Sequence, residues 1–366
     1  MSDLREEDAR RDLGETFRRL IAATGPISLA HYMGESNARY YTDRKPIGGP
    51  SSVGGGDFIT APEVSQMFGE LIGLWLADMW IRAGRTEPVH YVELGPGRGT
   101  LARDAFRAML RYGLKPKMHL VETSRRMRDA QLATLPEAIH HHDLSRIPLA
   151  GPVLLVANEF LDALPVRQLV KTEEGWREIM VSVDTAGNFI EVPGRQPMDS
   201  AVAEAKRNSQ LGTVIETSPA CATILFEVAG RLAEQGGAAL FIDYGHADGR
   251  SGASLQAVRD HQRVGVFDAP GEVDLSAHVD FAQMEQIARS RGARVLGTVE
   301  QGAWLKALGI DQRAEALAKF APQHREALMR ARDRLTSPEQ MGSLFKVMGL
   351  TGPDWPDAVG FAPPVA

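Results

Sequence analysis

A single cysteine, Cys221, stands in a chain of 366 residues, so no internal disulfide can form and a reducing compartment is expected. Long hydrophobic runs are also missing. The most apolar stretch, Leu71 to Ile81, falls short of the roughly 20 residues a spanning helix needs and contains Asp78; it reads as a buried helix, with no membrane insertion. Excess positive charge is lacking too: 47 acidic against 41 basic side chains leave a net charge of -6, which disfavours sequence-independent nucleic-acid binding. The Arg125-Arg126-Met127-Arg128 cluster then reads as a solvated helix face. No Gly-x-Ser-x-Gly elbow is present and Cys221 has no activating context, so covalent catalysis is not indicated. Residues 1 to 19 mix Asp and Glu with Arg, unlike a secretory signal or an acid-poor transit peptide, and a cytoplasmic location is expected. Internal repeats are absent.

What is present is an alternation of apolar runs and helical segments. With 43% hydrophobic residues the chain can bury a sizeable core. Strands are expected at Val89 to Leu94, Met118 to Glu122, Ile139 to His142, Val153 to Ala157, Ala238 to Asp243, Arg294 to Val299 and Leu344 to Met348. Several are continuous apolar runs, as in parallel strands buried on both faces. Residues 3 to 34 carry helical periodicity, with Leu13, Phe17, Leu20 and Ile21 on one stripe, and residues 42 to 57 form a loop rich in Gly, Pro and Ser. Thr60-Ala61-Pro62-Glu63 matches a capping box, which predicts one long helix from about 61 to 83, ending near Gly84. Between the fourth and fifth strands, residues 165 to 215 read as short antiparallel strands. The expected organisation is an N-terminal helical cap and Gly-rich lid loop (1–85), an α/β core (86–164 and 216–366) and an inserted β subdomain (165–215).

The most informative segment is Val92-Glu93-Leu94-Gly95-Pro96-Gly97-Arg98-Gly99-Thr100, an apolar strand that breaks into alternating glycines and then a helix. Such a turn lets the backbone approach a ligand closely and offers it the N–H groups of a helix start. A dinucleotide fingerprint asks for Gly or Ala where Thr100 stands, so nicotinamide and flavin are disfavoured. Acids end the strands instead: Glu93, Glu122 before Thr123, Asp143 before Leu144, Asn158-Glu159, and Asp243. Ligands of open parallel sheets bind beyond these strand ends. Glu122 is suited to both hydroxyls of a ribose and Asp143 to an exocyclic amine, because carboxylates are acceptor-only. This pattern fits S-adenosylmethionine better than a pyrophosphate. His140-His141-His142 alternate across a strand, so they cannot converge on one ion and no metal is expected.

Four ordered motifs carry a family resemblance: Gly56-Asp57-Phe58-Ile59-Thr60-Ala61-Pro62-Glu63-Val64-Ser65 with Phe68-Gly69-Glu70; Val92 to Leu101; Ala157-Asn158-Glu159-Phe160-Leu161-Asp162-Ala163-Leu164-Pro165; and Phe241-Ile242-Asp243-Tyr244-Gly245. Together they closely resemble the MidA family of S-adenosylmethionine-dependent methyltransferases, which includes a mitochondrial complex I assembly factor that dimethylates an arginine of the 49-kDa subunit. The resemblance runs from about His31 to Gly309. It implies an α/β, Rossmann-like class I methyltransferase fold, S-adenosyl-L-methionine as cofactor, and a protein substrate of the complex I 49-kDa type. Thr60, Glu93, Gly95, Gly97, Gly99, Glu122, Thr123, Asp143 and Leu144 are the candidate cofactor-binding residues. A planar, cationic guanidinium calls for carboxylates that hold it bidentately. Asp57, Glu159 and Asp162 are the candidates for that clamp, with Asn158 beside the methyl donor. A small-molecule methyltransferase and a cofactor-binding assembly chaperone without turnover stay open as alternatives, and sequence does not settle oligomeric state.

Overall fold

Apolar runs become inner strands in the computed structural model, which describes residues 12–43, 60–259 and 262–361. Seven strands, β1 (His90–Leu94), β2 (Lys117–Val121), β3 (Ile139–His141), β4 (Val153–Asn158), β5 (Gly237–His246), β6 (Arg294–Glu300) and β7 (Phe345–Thr351), lie in the order β3-β2-β1-β4-β5-β7-β6. The two-residue strand Val279–Asp280 adds beside the end of β5. β7 runs antiparallel to both its neighbours, whereas β1 to β5 pair in parallel. This is the Rossmann-like class I methyltransferase arrangement. All of β1 and the first five residues of β4 are buried, which accounts for the unbroken apolar run of β4, while β1 buries His90 and Glu93 among its apolar residues. Strand order reverses between β1 and β4, so a crevice is expected beyond their carboxyl ends.

Helices α1 (Gln66–Arg82), α2 (Thr100–Arg111), α3 (Arg125–Thr134), α4 (Pro219–Gln235) and α5 (Phe281–Ser290) accompany the sheet. α1 and α2 meet through Gly69 and Gly73. A Cβ on Gly73 would lie 2.3 Å from the Ala105 carbonyl oxygen, and one on Gly69 would lie 2.8 Å from the Asp104 Cβ, so only glycine permits this approach. Glu70, on the same helix and 7% exposed, accepts from Arg313 with both oxygens at 2.8 and 2.9 Å and from Arg107 at 3.1 Å. The apolar stretch 71–81 is core, as its composition suggests. Among the described residues no helix is long and apolar enough to cross a membrane.

The expected single helix from 61 to 83 is instead two. Ser65 is extended (φ -163°, ψ 140°) and its side chain accepts the Met67 N–H at 3.2 Å, so it caps α1 and separates it from a short helix, Ala61–Val64. The capping box does not form: the Thr60 side chain makes no cap hydrogen bond, and Glu63 accepts from the Thr100 hydroxyl at 2.6 Å. A carboxylate beside the first residue of α2 gains from that helix's dipole, which its own N-cap could not also supply.

A file of imidazoles crosses the sheet. His90 Nδ1 lies 2.9 Å from His119 Nε2, and His119 Nδ1 lies 2.9 Å from His141 Nε2, while His90 Nε2 meets the Ala150 carbonyl at 3.0 Å. The three histidines are 1%, 2% and 9% exposed. A carbonyl only accepts, so His90 carries its proton on Nε2, and the same tautomer follows for His119 and His141 in turn. His140 turns to Gln131 and His142 to Arg128, so the three adjacent histidines go to three different partners.

The chain divides into two units: residues 45–162, 222–249 and 279–366, which contain the large sheet, and residues 1–44, 163–221 and 250–278. In the second, Ile27–Ser28 pairs with Met180 and Val181, and strands Arg167–Thr172, Gly175–Val183, Phe189–Pro197 and Val214–Thr217 complete an antiparallel sheet. Phe17, Ile21 and Tyr32 lie in its core with Val181 and Phe189. This partition differs from the organisation drawn from sequence in three respects. Residues 1–44 group with the insertion. α1 falls in the large-sheet unit because of its glycine-mediated packing on α2, and residues 250–278 join the insertion as a short three-stranded sheet.

Candidate functional site

Strand register sets the rim. Leu94 pairs with Val121 and Ala157, Val121 with His141, and Ala157 with Phe241. The next residues along these strands, Gly95, Glu122, His142, Asn158 and Ile242, therefore form one row at the carboxyl edge. Gly95, Gly97 and Gly99 all have positive φ (62°, 52° and 78°), and Gly99 is the N-cap of α2. The Gly95 N–H still bonds the Val121 carbonyl at 3.1 Å. A Cβ at Gly95 would lie 2.6 Å from the Phe160 ring, so the turn and the segment after β4 pack directly on each other. At Gly97 a Cβ would meet nothing within 4 Å.

The candidate cofactor residues differ in exposure and in the partners they already have. Glu93 is 3% exposed and accepts from the Tyr91 hydroxyl at 2.5 Å; burial pushes its carboxyl up to about 8 against the pull of that hydroxyl. Glu122 is half-buried and accepts the Ser124 N–H at 2.8 Å, with burial raising its pKa. Thr123 is exposed, and its carbonyl accepts from Arg128 at 3.3 Å. Asp143 is exposed and caps the turn Leu144–Arg146 through the Ser145 hydroxyl and N–H, which hold its carboxyl below the usual range. Leu144 is 5% exposed. Thr60 is half-buried at the start of Ala61–Val64. Asp57 and most of the Gly-rich loop lie outside the described residues.

The segment after β4 is the most polar part of the rim. Asn158 ends the strand and donates from Nδ2 to Glu159 Oε1 at 3.1 Å, leaving Oδ1 buried with no protein partner. Glu159 has φ 50°, rare for a residue with a side chain, and its Oε1 also accepts the Ala61 N–H at 2.8 Å. Burial pushes the Glu159 carboxyl up to about 7, opposed by these two donors. Asp162 is half-buried, and its N–H reaches Asp243.

One contributor, Gln131, has no counterpart in the sequence reading, and another, Glu63, enters it only as half of a capping box. Gln131, fully buried on α3, donates to the Gly97 carbonyl at 2.7 Å and accepts from His140 at 2.9 Å, bracing the glycine turn. Its signal was an uncharged polar residue on a buried helix face. Glu63, through Thr100, ties Ala61–Val64 to the start of α2 while Ala61 meets Glu159, so this short helix joins the two lips of the crevice. Among the described residues no group of three or more His, Cys, Asp or Glu is placed to hold a metal ion. The open space over Gly97 and the orphaned Asn158 oxygen suit an organic ligand with hydrogen-bond donors.

Comparison with known proteins agrees. A family model describing S-adenosyl-L-methionine-dependent methyltransferases matches residues 71–299. The protein arginine methyltransferase NDUFAF7, mitochondrial, is 35% identical in Rattus norvegicus over 369 residues, covering 90% of this chain and 82% of that protein. Its Homo sapiens counterpart is 34% identical over 368 residues, covering 90% and 81%. A protein from Burkholderia thailandensis, crystallised with S-adenosyl-homocysteine, shares 27% identity and superposes with a TM-score of 0.79 over 96% of this chain and 92% of that one. The rim, the glycine turn and these likenesses agree, and the chain belongs to this family of S-adenosyl-L-methionine-dependent methyltransferases.

Proposed function

We propose that this enzyme methylates the side-chain nitrogen of an arginine in a protein, with a complex I subunit of the 49-kDa type as its substrate. The observation that carries the reading is the pairing, at the end of β4, of an unpartnered acceptor, Asn158 Oδ1, with the Glu159 carboxyl. Curated relatives named as protein arginine methyltransferases support the acceptor class. A cytoplasmic setting is part of the proposal, supported by a sequence with a single cysteine and hence no internal disulfide, whereas those relatives are named mitochondrial.

In this reading the Gly95-Pro96-Gly97-Arg98-Gly99 turn, Thr60, Glu93, Glu122, Thr123, Asp143 and Leu144 surround the cofactor. When bound, S-adenosylmethionine supplies a methyl group on a sulfonium; as the new N–C bond forms the S–C bond breaks, leaving the neutral thioether and releasing one proton from the nitrogen. The protein's own task is to place and desolvate the nucleophile. Asn158 Oδ1 accepts an N–H of the guanidinium and turns the nitrogen lone pair toward the donor. Glu159 and Asp162, with Asp57, hold the cation. A carboxyl poised near 7, as burial makes Glu159, matches the demand on a group that takes up a proton at neutral pH. Glu159 gives up its bond to the Ala61 N–H or shares it when the guanidinium arrives.

The test is to incubate purified protein with a labelled methyl donor and lysate from a strain lacking the gene, then map modified peptides by mass spectrometry. Label on an arginine nitrogen, lost in Asn158→Ala, is expected. Label only on small molecules, or none above a heat-killed control, refutes the reading.

A further inference from the structure

Beyond Asn158 the chain leaves the sheet. The Glu159 N–H still completes the ladder by bonding the Ile242 carbonyl at 2.9 Å, but the following three N–H groups have no strand to pair with. One carboxylate oxygen takes all three. Asp243 Oδ2 accepts from Phe160 at 3.1 Å, Leu161 at 2.8 Å and Asp162 at 3.3 Å, while Oδ1 accepts from Tyr244 at 2.8 Å. Asp243 is 1% exposed and stands one residue past the rim on β5, where its register partner across the sheet is Lys346.

We propose that Asp243 is a positioning residue for methyl transfer: by collecting the N–H groups of residues 160–162 it folds the loop that carries Asn158, Glu159 and Asp162. Three consecutive N–H groups converge on a point only when the backbone curls, and the curl places Glu159 in the left-handed region, a conformation that persists only where the surroundings over-determine it. With Glu159 so turned, its carboxylate meets the Asn158 amide, and the Asn158 oxygen is left open. The curl also sets the Phe160 ring against Gly95, which fixes the loop relative to the glycine turn. Asp243 touches neither ligand in this account, because four N–H donors already surround it. A buried carboxylate in that position would be costly unless those donors were supplied.

The assignment rests on reading 158–162 as the acceptor loop, and the experiment separates the two. Asp243→Asn keeps the shape but removes the charge and presents an amide N–H₂ where one oxygen accepted. Three measurements are made: S-adenosylhomocysteine affinity by calorimetry, kcat for the acceptor, and amide hydrogen exchange of Phe160 to Asp162 with that nucleoside bound. In the wild type these three amides are expected to exchange slowly although they lie outside the strands. The variant is expected to keep its affinity for the nucleoside, to exchange them about tenfold faster, as loss of charge-assisted hydrogen bonds implies, and to lose about a hundredfold in kcat, the effect of a small misplacement of reacting groups. Fast exchange in the wild type overturns the proposal without any variant. So does a variant that exchanges and turns over normally, or one whose kcat falls only in step with nucleoside affinity. If the wild type methylates an acceptor other than arginine, the proposed substrate class fails, while exchange and the split between kcat and affinity, read on that acceptor, still decide the role of Asp243.

Discussion

Acidification should weaken the fold through the histidine file, and His119 sets the size of the effect. Burial is the main cause that lowers its pKa from 6.5 to about 4, with His90 and His141 on either side and Lys117 adding to it. His90 and His141 shift the same way. A base whose folded pKa is depressed is protonated more readily in the unfolded chain, so stability rises with pH through the window from about 4 to 6.5 and is complete above it. Between pH 7 and pH 5, His119 alone removes up to about 2 kcal/mol. Protonation also turns one acceptor of the file into a donor facing another donor, so one 2.9 Å contact must break. The raised carboxyls Glu93, Glu159 and Asp243 act with the opposite sign, so the wild-type slope alone is not diagnostic. The assay is urea unfolding at pH 7, 6 and 5 for the wild type and His119→Gln, which offers one donor and one acceptor but takes up no proton. The variant's loss between pH 7 and 5 should be smaller by about 2 kcal/mol. Parallel pH dependences would refute the reasoning, since they would mean that His119 is protonated equally in both states.

Three further outcomes follow from the described contacts. Glu70→Ala leaves Arg313 and Arg107 without the carboxylate that joins them and should cost about 1–2 kcal/mol by urea unfolding, the loss of hydrogen bonds to a charged group discounted for the solvent access of both arginines; an unchanged stability would show the cluster to be fully solvated. Gly97→Val should fold, because no atom lies within 4 Å of the added carbon, yet lose S-adenosylhomocysteine binding, because φ 52° excludes a branched residue and the new side chain fills the open space; an unchanged calorimetric isotherm would remove the turn from the site. Glu122→Ala should weaken the same binding by about 1–3 kcal/mol, the range for a hydrogen bond to a charged group, and an unaffected isotherm would leave Glu122 a structural role only, through bonds such as that from the Ser124 N–H.

The residues that make this site differ in how far sequence could reveal them, and the difference is one of distance along the chain. β4 and β5 were legible because a strand covered on both faces has to be apolar throughout, and the glycine turn was legible because three positive-φ positions within five residues leave few other residue types. Thr60 and Glu63 misled for the opposite reason. Their spacing satisfies a local capping rule, yet Glu63 finds Thr100, 37 positions away, and no local pattern records that choice. His90, His119 and His141 each appear in sequence only as a polar interruption of a buried strand; they become a chain because β1, β2 and β3 lie side by side in a register that places them two residues apart on a diagonal. Asp243 belongs to the same class. Its acid was visible at a strand end but its role was not, because its three donors come from another strand's exit, 81 to 83 residues earlier. Polar residues inside otherwise apolar strands are therefore the trace that such tertiary partners leave: burying a polar group without a partner is costly, so each interruption points to a partner elsewhere in the fold.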